Sequence, residues 1–253
     1  MMRTIAIYSL KGGVGKSTFA VNLAWASATL SARRTLLWDL DPQGAASWLL
    51  DPAATQRDAA RALFARDVAP ASLCQHTPID RLDLLAADPS LRGLERQLFD
   101  LGKRKRLARL LDGLDKHYDR VLLDCPPGLM ETGEQVLHAA DILIVPVVPS
   151  PLARKSLDDL VAYLLERGGN HPPILPVLSM VDRRRKLHQA AQEAYPDWPA
   201  IPYESAVEQM GARRRPLGAY APGSPAAIQF ANLWAAIERR LASNGDGTRS
   251  GSG

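Results

Sequence analysis

The sequence has few cysteines and no long hydrophobic run, and both shortages exclude classes of protein. Its two cysteines, Cys74 and Cys125, cannot form a framework of several disulfides or a Cys-x-x-Cys site, which favours a reducing compartment. The most apolar stretch, residues 142–148, contains a proline and is far shorter than the ~18 residues that a membrane span requires. Residues 4–8 already form a strand-like run, which leaves no room for a signal peptide. We therefore expect a cytoplasmic protein that does not span a membrane.

The composition is that of a folded protein with a small excess of positive charge. Hydrophobic residues make up 46% of the 253 residues and charged residues 23%, a balance that argues against a disordered chain. The 31 lysines and arginines outnumber the 27 acidic residues, so the formal net charge is +4. This excess permits a polyanionic partner without requiring one.

Short aliphatic runs alternate with longer amphipathic segments along most of the chain. Several runs are hydrophobic almost continuously, as expected for strands that helices cover on both faces. The alternation predicts an α/β fold: a doubly wound, mostly parallel sheet with helices on both faces. The predicted strands are residues 4–9, 35–39, 82–86, 120–124, 142–147, 174–180 and 200–203. The predicted helices are residues 16–30, 59–64, 91–101, 105–116, 131–139, 152–166, 187–194 and 226–241.

The chain shows no internal repeat and no linker that would divide it. We expect a single domain over residues 1–243, followed by a polar tail over residues 244–253. The tail contains no apolar residue and is predicted to be disordered.

The most specific motif is a glycine-rich segment between the first predicted strand and the first predicted helix. Glycines allow the backbone to turn its N–H groups toward phosphate oxygens, and the helix N-terminus adds a positive dipole. In such a loop Lys16 bridges the β- and γ-phosphates and the Ser17 hydroxyl binds Mg²⁺. A glycine-rich turn without a ligand is the alternative, and the strand–loop–helix context disfavours it. The segment reads Lys11, Gly12, Gly13, Val14, Gly15, Lys16, Ser17, Thr18.

Acidic residues end two further predicted strands, at the sheet edge where ligands of open α/β sheets bind. Asp39 and Asp41 follow the second predicted strand, and they point the same way if that strand continues. Asp124 ends an apolar strand, the pattern of a Walker B acid that binds Mg²⁺ through water. Gly128, four residues later, supplies the freedom that a switch segment needs. Taken alone, Asp39 and Asp41 are better explained as exposed turn acids before Pro42, and the phosphate loop reverses that preference. Apolar strands that end in aspartate are common, so the Asp124 pattern is not specific by itself.

The Lys-Gly-Gly-x-Gly-Lys-Ser pattern resembles the deviant Walker A loop of the ParA/MinD group of P-loop ATPases. The chain looks most like the Soj-like ParA partition ATPases that lack an N-terminal helix-turn-helix. The resemblance implies a P-loop NTPase fold, ATP and Mg²⁺ as cofactors, and a homodimer formed on ATP binding. In that family the first lysine, here Lys11, reaches across the dimer interface to the partner's nucleotide. Residues 39–44 resemble the family's DxDPQG motif, which nominates Asp41 to orient the attacking water and Asp39 to lie near the metal.

The nucleotide base is expected to be adenine. The usual guanine-reading sequence Asn-Lys-x-Asp is missing, because none of the four asparagines is followed by lysine. In the ATPases that the chain resembles, adenine packs against the loops after the late strands. The resemblance therefore implies contacts from Met180, Asp182 and Pro202.

Basic residues are concentrated in three clusters that contain no acid. ParA-type proteins bind DNA without sequence preference through basic residues in the C-terminal part of the domain, and such phosphate contacts need only charge and reach. The alternative for each cluster is a solvated helix end. In order of preference, the DNA-binding candidates are Arg213, Arg214 and Arg215, then Arg183, Arg184, Arg185 and Lys186, and last the cluster 103–106.

The leading hypothesis is an ATPase that dimerises on ATP, binds DNA nonspecifically and positions a plasmid, a chromosome origin or a protein cargo. Its hydrolysis is expected to be slow and stimulated by a ParB-like or other partner, and its ATP state is expected to be associated with the nucleoid. A MinD-like adaptor that positions a protein complex without DNA is the main alternative, and a metabolic ATP-dependent ligase is a third. The polar tail supplies no amphipathic helix for a membrane surface.

Overall fold

The computed structural model describes residues 1–50, 62–64, 68–93, 105–128, 131–166 and 171–246. These residues form an eight-stranded sheet in the order β3-β4-β2-β5-β1-β6-β7-β8. All neighbouring strands are parallel except β3 and β4, which pair antiparallel at one edge. The strands are β1 (Arg3–Ile7), β2 (Thr35–Asp39), β3 (Gln75–His76), β4 (Leu82–Leu85), β5 (Arg120–Asp124), β6 (Ile142–Val147), β7 (Ile174–Val181) and β8 (Ala200–Pro202).

Helices connect most of these strands, as the parallel arrangement requires. The described helices are α1 (Lys16–Leu30), α2 (Ala45–Leu50), α3 (Arg106–Asp112), α4 (Glu131–Ala139), α5 (Pro151–Glu166), α6 (Lys186–Ala194), α7 (Ser205–Arg213) and α8 (Pro225–Asp246). Short 3₁₀ helices occupy Pro70–Leu73, Pro89–Gly93 and Leu217–Ala219. Within the described ranges, no helix has the length and hydrophobicity to span a membrane.

Two hydrophobic cores lie on opposite faces of the sheet, because side chains alternate between the faces along each strand. Ile5 and Ile7 of β1 belong to the core that α1 and α8 cover, whereas Ala6 belongs to the opposite core beneath α3 and α5. Phe19 of α1 and Phe230 of α8 meet edge to face with their ring centroids 5.1 Å apart. Strands buried on both faces explain the nearly continuous hydrophobic runs, and the predicted doubly wound α/β fold is confirmed.

The predicted elements agree with the structure best where the hydrophobic runs are longest. Three strands and two helices match residue for residue, namely 35–39, 120–124, 142–147, 16–30 and 131–139. Helices α2 and α7 were not predicted, and the helix expected at 105–116 is shorter, ending at Asp112. Of the helices predicted at 59–64 and 91–101, residues 62–64 are helical and 91–93 belong to a 3₁₀ helix; residues 59–61 and 94–101 lie outside the described part.

The last helix is longer than predicted. Helix α8 continues to Asp246, five residues past the expected end and into the segment assigned to the polar tail. Backbone hydrogen bonding propagates a helix at little cost once it is packed, so polar residues extend it. The rest of the predicted tail, residues 247–253, lies outside the described residues.

Candidate functional site

The glycine-rich loop joins β1, near the centre of the sheet, to the N-terminus of α1. Gly13 and Gly15 have φ angles of +73° and +93°, a left-handed backbone that side chains with a Cβ adopt only with strain. Gly15 is the N-cap residue of α1, so the amide N–H groups of the first helical turn face the loop with the positive end of the helix dipole. The local sequence thus produces an anion-binding backbone.

The loop is braced from two sides. The Ser179 hydroxyl, at the end of β7, donates a hydrogen bond to the Val14 carbonyl over 2.8 Å, and Val14 itself is buried. At the other end of the loop the Lys11 amide donates to the Ser9 hydroxyl at 3.2 Å. A Cβ at Gly15 would lie 3.4 Å from the Met180 methyl, so β7 packs directly against the loop.

The residues of the phosphate loop differ in their exposure to solvent. Gly12 and Gly13 are exposed, Lys11, Ser17 and Thr18 are half-buried, and Lys16 is only 7% exposed. Lys16 has no hydrogen bond or ion pair with the described part of the chain. Burial of an ammonium group without a hydrogen-bond partner is costly, and a phosphate group would supply such a partner.

Asp39 and Asp124 are the last residues of β2 and β5, where they are paired in register. Asp39 is fully buried, and its Oδ2 accepts hydrogen bonds from the Ser47 amide at 2.9 Å and the Ser47 hydroxyl at 2.7 Å. Its Oδ1 accepts from the Asp41 amide at 3.1 Å. Burial raises the pKa of Asp39 to about 6, although these hydrogen bonds oppose the rise. Asp39 therefore organises the turn and the start of α2.

Asp41 lies beyond the end of β2, so the strand does not continue to it, as the expected common direction of Asp39 and Asp41 required. The chain turns at Pro42, and the Gly44 amide donates to the Asp41 carbonyl at 2.9 Å. The Asp41 side chain is half-buried and accepts from the Gln43 amide at 2.9 Å. This turn leaves the Asp41 carboxylate accessible beside the buried pair.

Asp124 is the least satisfied group of the site. It is fully buried, and neither carboxylate oxygen has a hydrogen-bond partner in the described residues. Burial and the Asp39 carboxylate raise the pKa of Asp124 well above its ordinary value, while Ser17 and Lys16 act in the opposite direction. Such a carboxylate requires a proton or a cation to compensate the cost of burial.

The residues present fit a magnesium ion shared with a nucleotide. Mg²⁺ is typically held by one or two carboxylates, water and substrate phosphates, and rarely by an all-protein cage. Among the described residues no group of three or more His, Cys, Asp or Glu side chains is placed to hold a metal. The unpaired Asp124 carboxylate, with the Ser17 hydroxyl beside it, supplies the hard oxygen ligands that this arrangement needs.

The loop after β5 is tied to the same region. Gly128 has a φ angle of +97°, and its carbonyl accepts a hydrogen bond from the Tyr8 hydroxyl at 2.7 Å. The intervening Cys125 is fully buried and burial raises the pKa of its thiol, which excludes it as a nucleophile. The conformation at Gly128 is one that glycine adopts without strain.

A mostly apolar pocket of about 420 Å³ adjoins the loop and contains two of the three residues predicted to contact adenine. Met180 and Pro202 line it, whereas Asp182 lines a neighbouring cavity of about 550 Å³ that shares Pro202. Sequence reasoning missed much of the pocket wall, because seven of its seventeen residues lie on α2 and α7, which were not predicted. Its further residues include Thr18, Phe19, Trp48, Tyr203, Met210 and Phe230.

The basic clusters lie in different electrostatic surroundings. All residues of 183–186 and 213–215 are exposed. Arg184 is paired with Asp182 through contacts of 2.9 Å and 3.0 Å, and this lowers the pKa of Asp182 to about 2. Arg213 donates to Gln209 and stacks on Tyr220.

In the third cluster, residues 103–106, the Arg106 side chain is not exposed to solvent. This side chain is 7% exposed and donates to the Leu63 carbonyl at 3.0 Å, so it is not available to DNA. Lys103 and Arg104 of the same cluster lie outside the described residues.

The chain is similar to known proteins over most of its length. The model of a family described as AAA domain matches residues 2–167. The chromosome partitioning protein ParA of Caulobacter vibrioides is 35% identical, over 74% of this chain and 73% of its own length. The chromosome-partitioning ATPase Soj of Thermus thermophilus is 34% identical, over 95% of this chain and 97% of its own.

A solved structure with the same fold belongs to a metabolic enzyme. Cobyrinic acid a,c-diamide synthase from Mycobacterium smegmatis, with a bound ATP analogue and magnesium, has a TM-score of 0.80 and 26% identity. The match covers 96% of this chain and 97% of the synthase chain. The fold is therefore shared by proteins with different activities, and function must be argued from the site.

Proposed function

The chain belongs to the ParA/MinD-type P-loop ATPases, and on that premise we propose that it is a dimerising ATPase that binds DNA nonspecifically and positions a cargo. The cargo is a plasmid, a chromosome origin or a protein complex. The proposal includes a homodimer formed on ATP binding and slow hydrolysis that a ParB-like or other partner stimulates. It also includes association of the ATP state with the nucleoid.

The observation that carries the ATP site is the buried, unpaired Asp124 beside the start of α1. We assign Lys16 to the β- and γ-phosphates and the loop amides to the phosphate oxygens. Ser17 and Asp124 would hold Mg²⁺, which supplies charge neutralisation at the phosphates when bound. Asp39 supports this set through its bonds to the turn and α2, rather than through a free oxygen.

Hydrolysis requires a group that orients water and a charge that stabilises the transition state. The accessible Asp41 carboxylate is suited to hold the attacking water, because it follows the buried pair at the same sheet edge. Lys11 lies in an accessible part of the loop, which is compatible with a role toward the nucleotide of a second copy. Dimerisation would then control the rate, since the cation arrives from the partner.

The adenosine is proposed to occupy the 420 Å³ pocket beside Thr18. Its volume lies in the range of small-molecule sites, and its apolar wall suits a planar base. Met180 and Pro202 form part of that wall, and Asp182 stands next to it.

The ATP site is tested by measuring hydrolysis and ATP binding of Lys16→Ala with Mg²⁺. Loss of one buried phosphate-binding charge is expected to lower kcat by at least about a hundredfold. The exposed Lys155→Ala is the control and should hydrolyse ATP like the parent. Hydrolysis by Lys16→Ala at the parental rate would refute the assignment of the loop.

The dimer is tested with Lys11→Ala. This variant should bind ATP as a monomer but form less of the nucleotide-dependent dimer, as measured by light scattering with ATP and with ADP. An unchanged dimer fraction would remove the proposed role of Lys11 while leaving the ATP site intact.

DNA binding is tested by ATP-dependent retention of the protein on a nonspecific duplex at low salt. Replacing Arg213, Arg214 and Arg215 together by alanine should weaken retention by about ten- to a hundredfold, because each lost phosphate contact reduces counterion release. The double variant Arg239→Ala/Arg240→Ala, on the exposed side of α8, is the control. If the parent is not retained with ATP, the MinD-like adaptor is the better description.

A further inference from the structure

An aromatic residue connects the nucleoside pocket with the basic cluster 213–215. Trp48 of α2 lines the 420 Å³ pocket together with Gly15 and Thr18 of the phosphate loop. The same side chain is 44% exposed, and the guanidinium carbon of Arg214 lies 4.5 Å from the centroid of its ring. One indole therefore contacts both the pocket and a candidate DNA-binding arginine.

The end of α7 is fitted to the Trp48 ring. Arg214 is the C-cap residue that follows α7. It adopts a left-handed conformation, with φ 47° and ψ 51°, which is sterically unfavourable for a residue with a side chain. The attraction between the guanidinium and the ring offsets part of this cost. Gly211, one turn earlier on α7, also packs on the indole, since a Cβ placed there would lie 3.7 Å from it. Helix α7 is thus fitted to Trp48 at two positions.

Trp48 is in turn positioned by the catalytic edge of the sheet. Its amide donates to the Gly44 carbonyl at 2.9 Å in the first turn of α2, and the preceding Ser47 is bonded to Asp39 through both its amide and its hydroxyl. The indole is therefore attached to the element that follows the Asp39–Gly44 turn. A change at that turn reaches Trp48 through a short, hydrogen-bonded path.

Arg214 keeps its donors available while it is stacked. It makes no hydrogen bond or ion pair with the described part of the chain, in contrast to Arg184, which Asp182 neutralises. A guanidinium that lies over a ring still presents its N–H edge, which is the part that binds a phosphate. The stacked Arg214 is therefore oriented for a polyanion.

We propose that Trp48 is a positioning residue that forms the wall of the nucleoside site and holds Arg214 ready for DNA phosphate. ATP and DNA then stabilise the same position of the Trp48 indole. Binding of either one therefore raises the affinity of the protein for the other by the same factor. The inference rests on the proposed nucleoside position and extends it to a specific link with the DNA surface.

The first test is the dissociation constant of ATP, measured by calorimetry with Mg²⁺ and without DNA. Trp48→Ala should raise it about tenfold, since stacking on a base is lost. Trp48→Phe should restore most of the affinity. Arg214→Ala should raise it about threefold, and Arg239→Ala, at an exposed position of α8, should leave it unchanged. In steady-state hydrolysis by Trp48→Ala, KM for ATP should rise while kcat stays close to the parental value, because the substitution weakens ATP binding and leaves the chemical step intact.

The second test measures the same constant with a saturating short DNA duplex. The duplex should tighten ATP binding to the parent and to Arg239→Ala, but not to Trp48→Ala or Arg214→Ala. Parental ATP affinity in a folded Trp48→Ala, checked by thermal unfolding, would overturn the proposal, as would equal behaviour of Arg214→Ala and Arg239→Ala. If the parent binds ATP but no DNA, the proposed DNA function fails, and the first test still decides the role of Trp48.

Discussion

The buried pair Asp39 and Asp124 predicts an unusual dependence of stability on pH. Burial raises the pKa of Asp39 from 3.8 to about 6, and that of Asp124 rises in the same direction. Between pH about 4 and about 6 the folded protein therefore binds more protons than the unfolded chain. The free energy of unfolding contributed by these groups is largest at low pH and falls as pH rises through this window. Asp39→Asn should remove the contribution of Asp39.

The size of the effect follows from the pKa shift. A rise from 3.8 to about 6 corresponds to about 3 kcal/mol, at roughly 1.36 kcal/mol per unit. Asn retains one oxygen for Ser47 but presents an NH₂ group to the Asp41 amide, which adds a cost that does not vary with pH. The informative quantity is therefore the change, between pH 4 and pH 8, in the difference between the unfolding free energies of parent and variant. The parent should lose up to about 3 kcal/mol relative to Asp39→Asn over this range.

Urea unfolding at several pH values, without nucleotide and with a chelator, measures this difference. The exposed Asp197→Asn serves as the matched control, and its difference from the parent should stay flat. Addition of Mg²⁺ and ATP should weaken the dependence, because a bound cation favours the ionised carboxylates. A flat difference for Asp39→Asn, or a parent that gains stability relative to it as pH rises, would refute the reasoning.

Two further substitutions test the packing around the site. Gly218→Ala should destabilise the protein by about 1–3 kcal/mol in urea unfolding, because its Cβ would lie 2.1 Å from a Trp25 ring atom. The control is Gly223→Ala, whose Cβ would meet nothing within 4 Å and which should therefore be tolerated. Equal stabilities of the two variants would contradict the contact between Gly218 and Trp25. Ser47→Ala should lower the free energy of unfolding by about 1–3 kcal/mol in the same assay, because the buried Asp39 carboxylate loses the hydroxyl donor at 2.7 Å. An unchanged stability would show that Asp39 does not depend on that hydrogen bond.

The sheet and the phosphate loop could be predicted because their signals are local. Strands buried on both faces produce continuous hydrophobic runs, which is why 120–124 and 142–147 were predicted with the observed bounds. The loop is equally local, since glycines at positions 13 and 15 are required by the positive φ angles there. Each of these features depends on residues that are neighbours in the chain.

What could not be predicted depends on contacts between distant residues. Helix α7 has only nine residues and fully buries Met210 alone among them, so its sequence carries too short an apolar pattern to be recognised. Arg106 looks like a surface charge until the Leu63 carbonyl, 43 positions away, is brought to its guanidinium. The pocket wall at Trp48 likewise exists only after α2, α7 and β8 have assembled, because no spacing in the sequence specifies that meeting.

The hydrogen bond from Ser179 to Val14 has a consequence for the kinetics of nucleotide binding. It joins the phosphate loop to β7, and the residue after Ser179 lines the proposed nucleoside pocket, so the two proposed parts of the nucleotide site lie on elements that are bonded to each other. A preorganised receptor does not lose loop entropy when the ligand arrives. ATP association should therefore be limited by diffusion and orientation, with a small activation enthalpy, and differences in affinity among nucleotides should arise mainly in their dissociation rates.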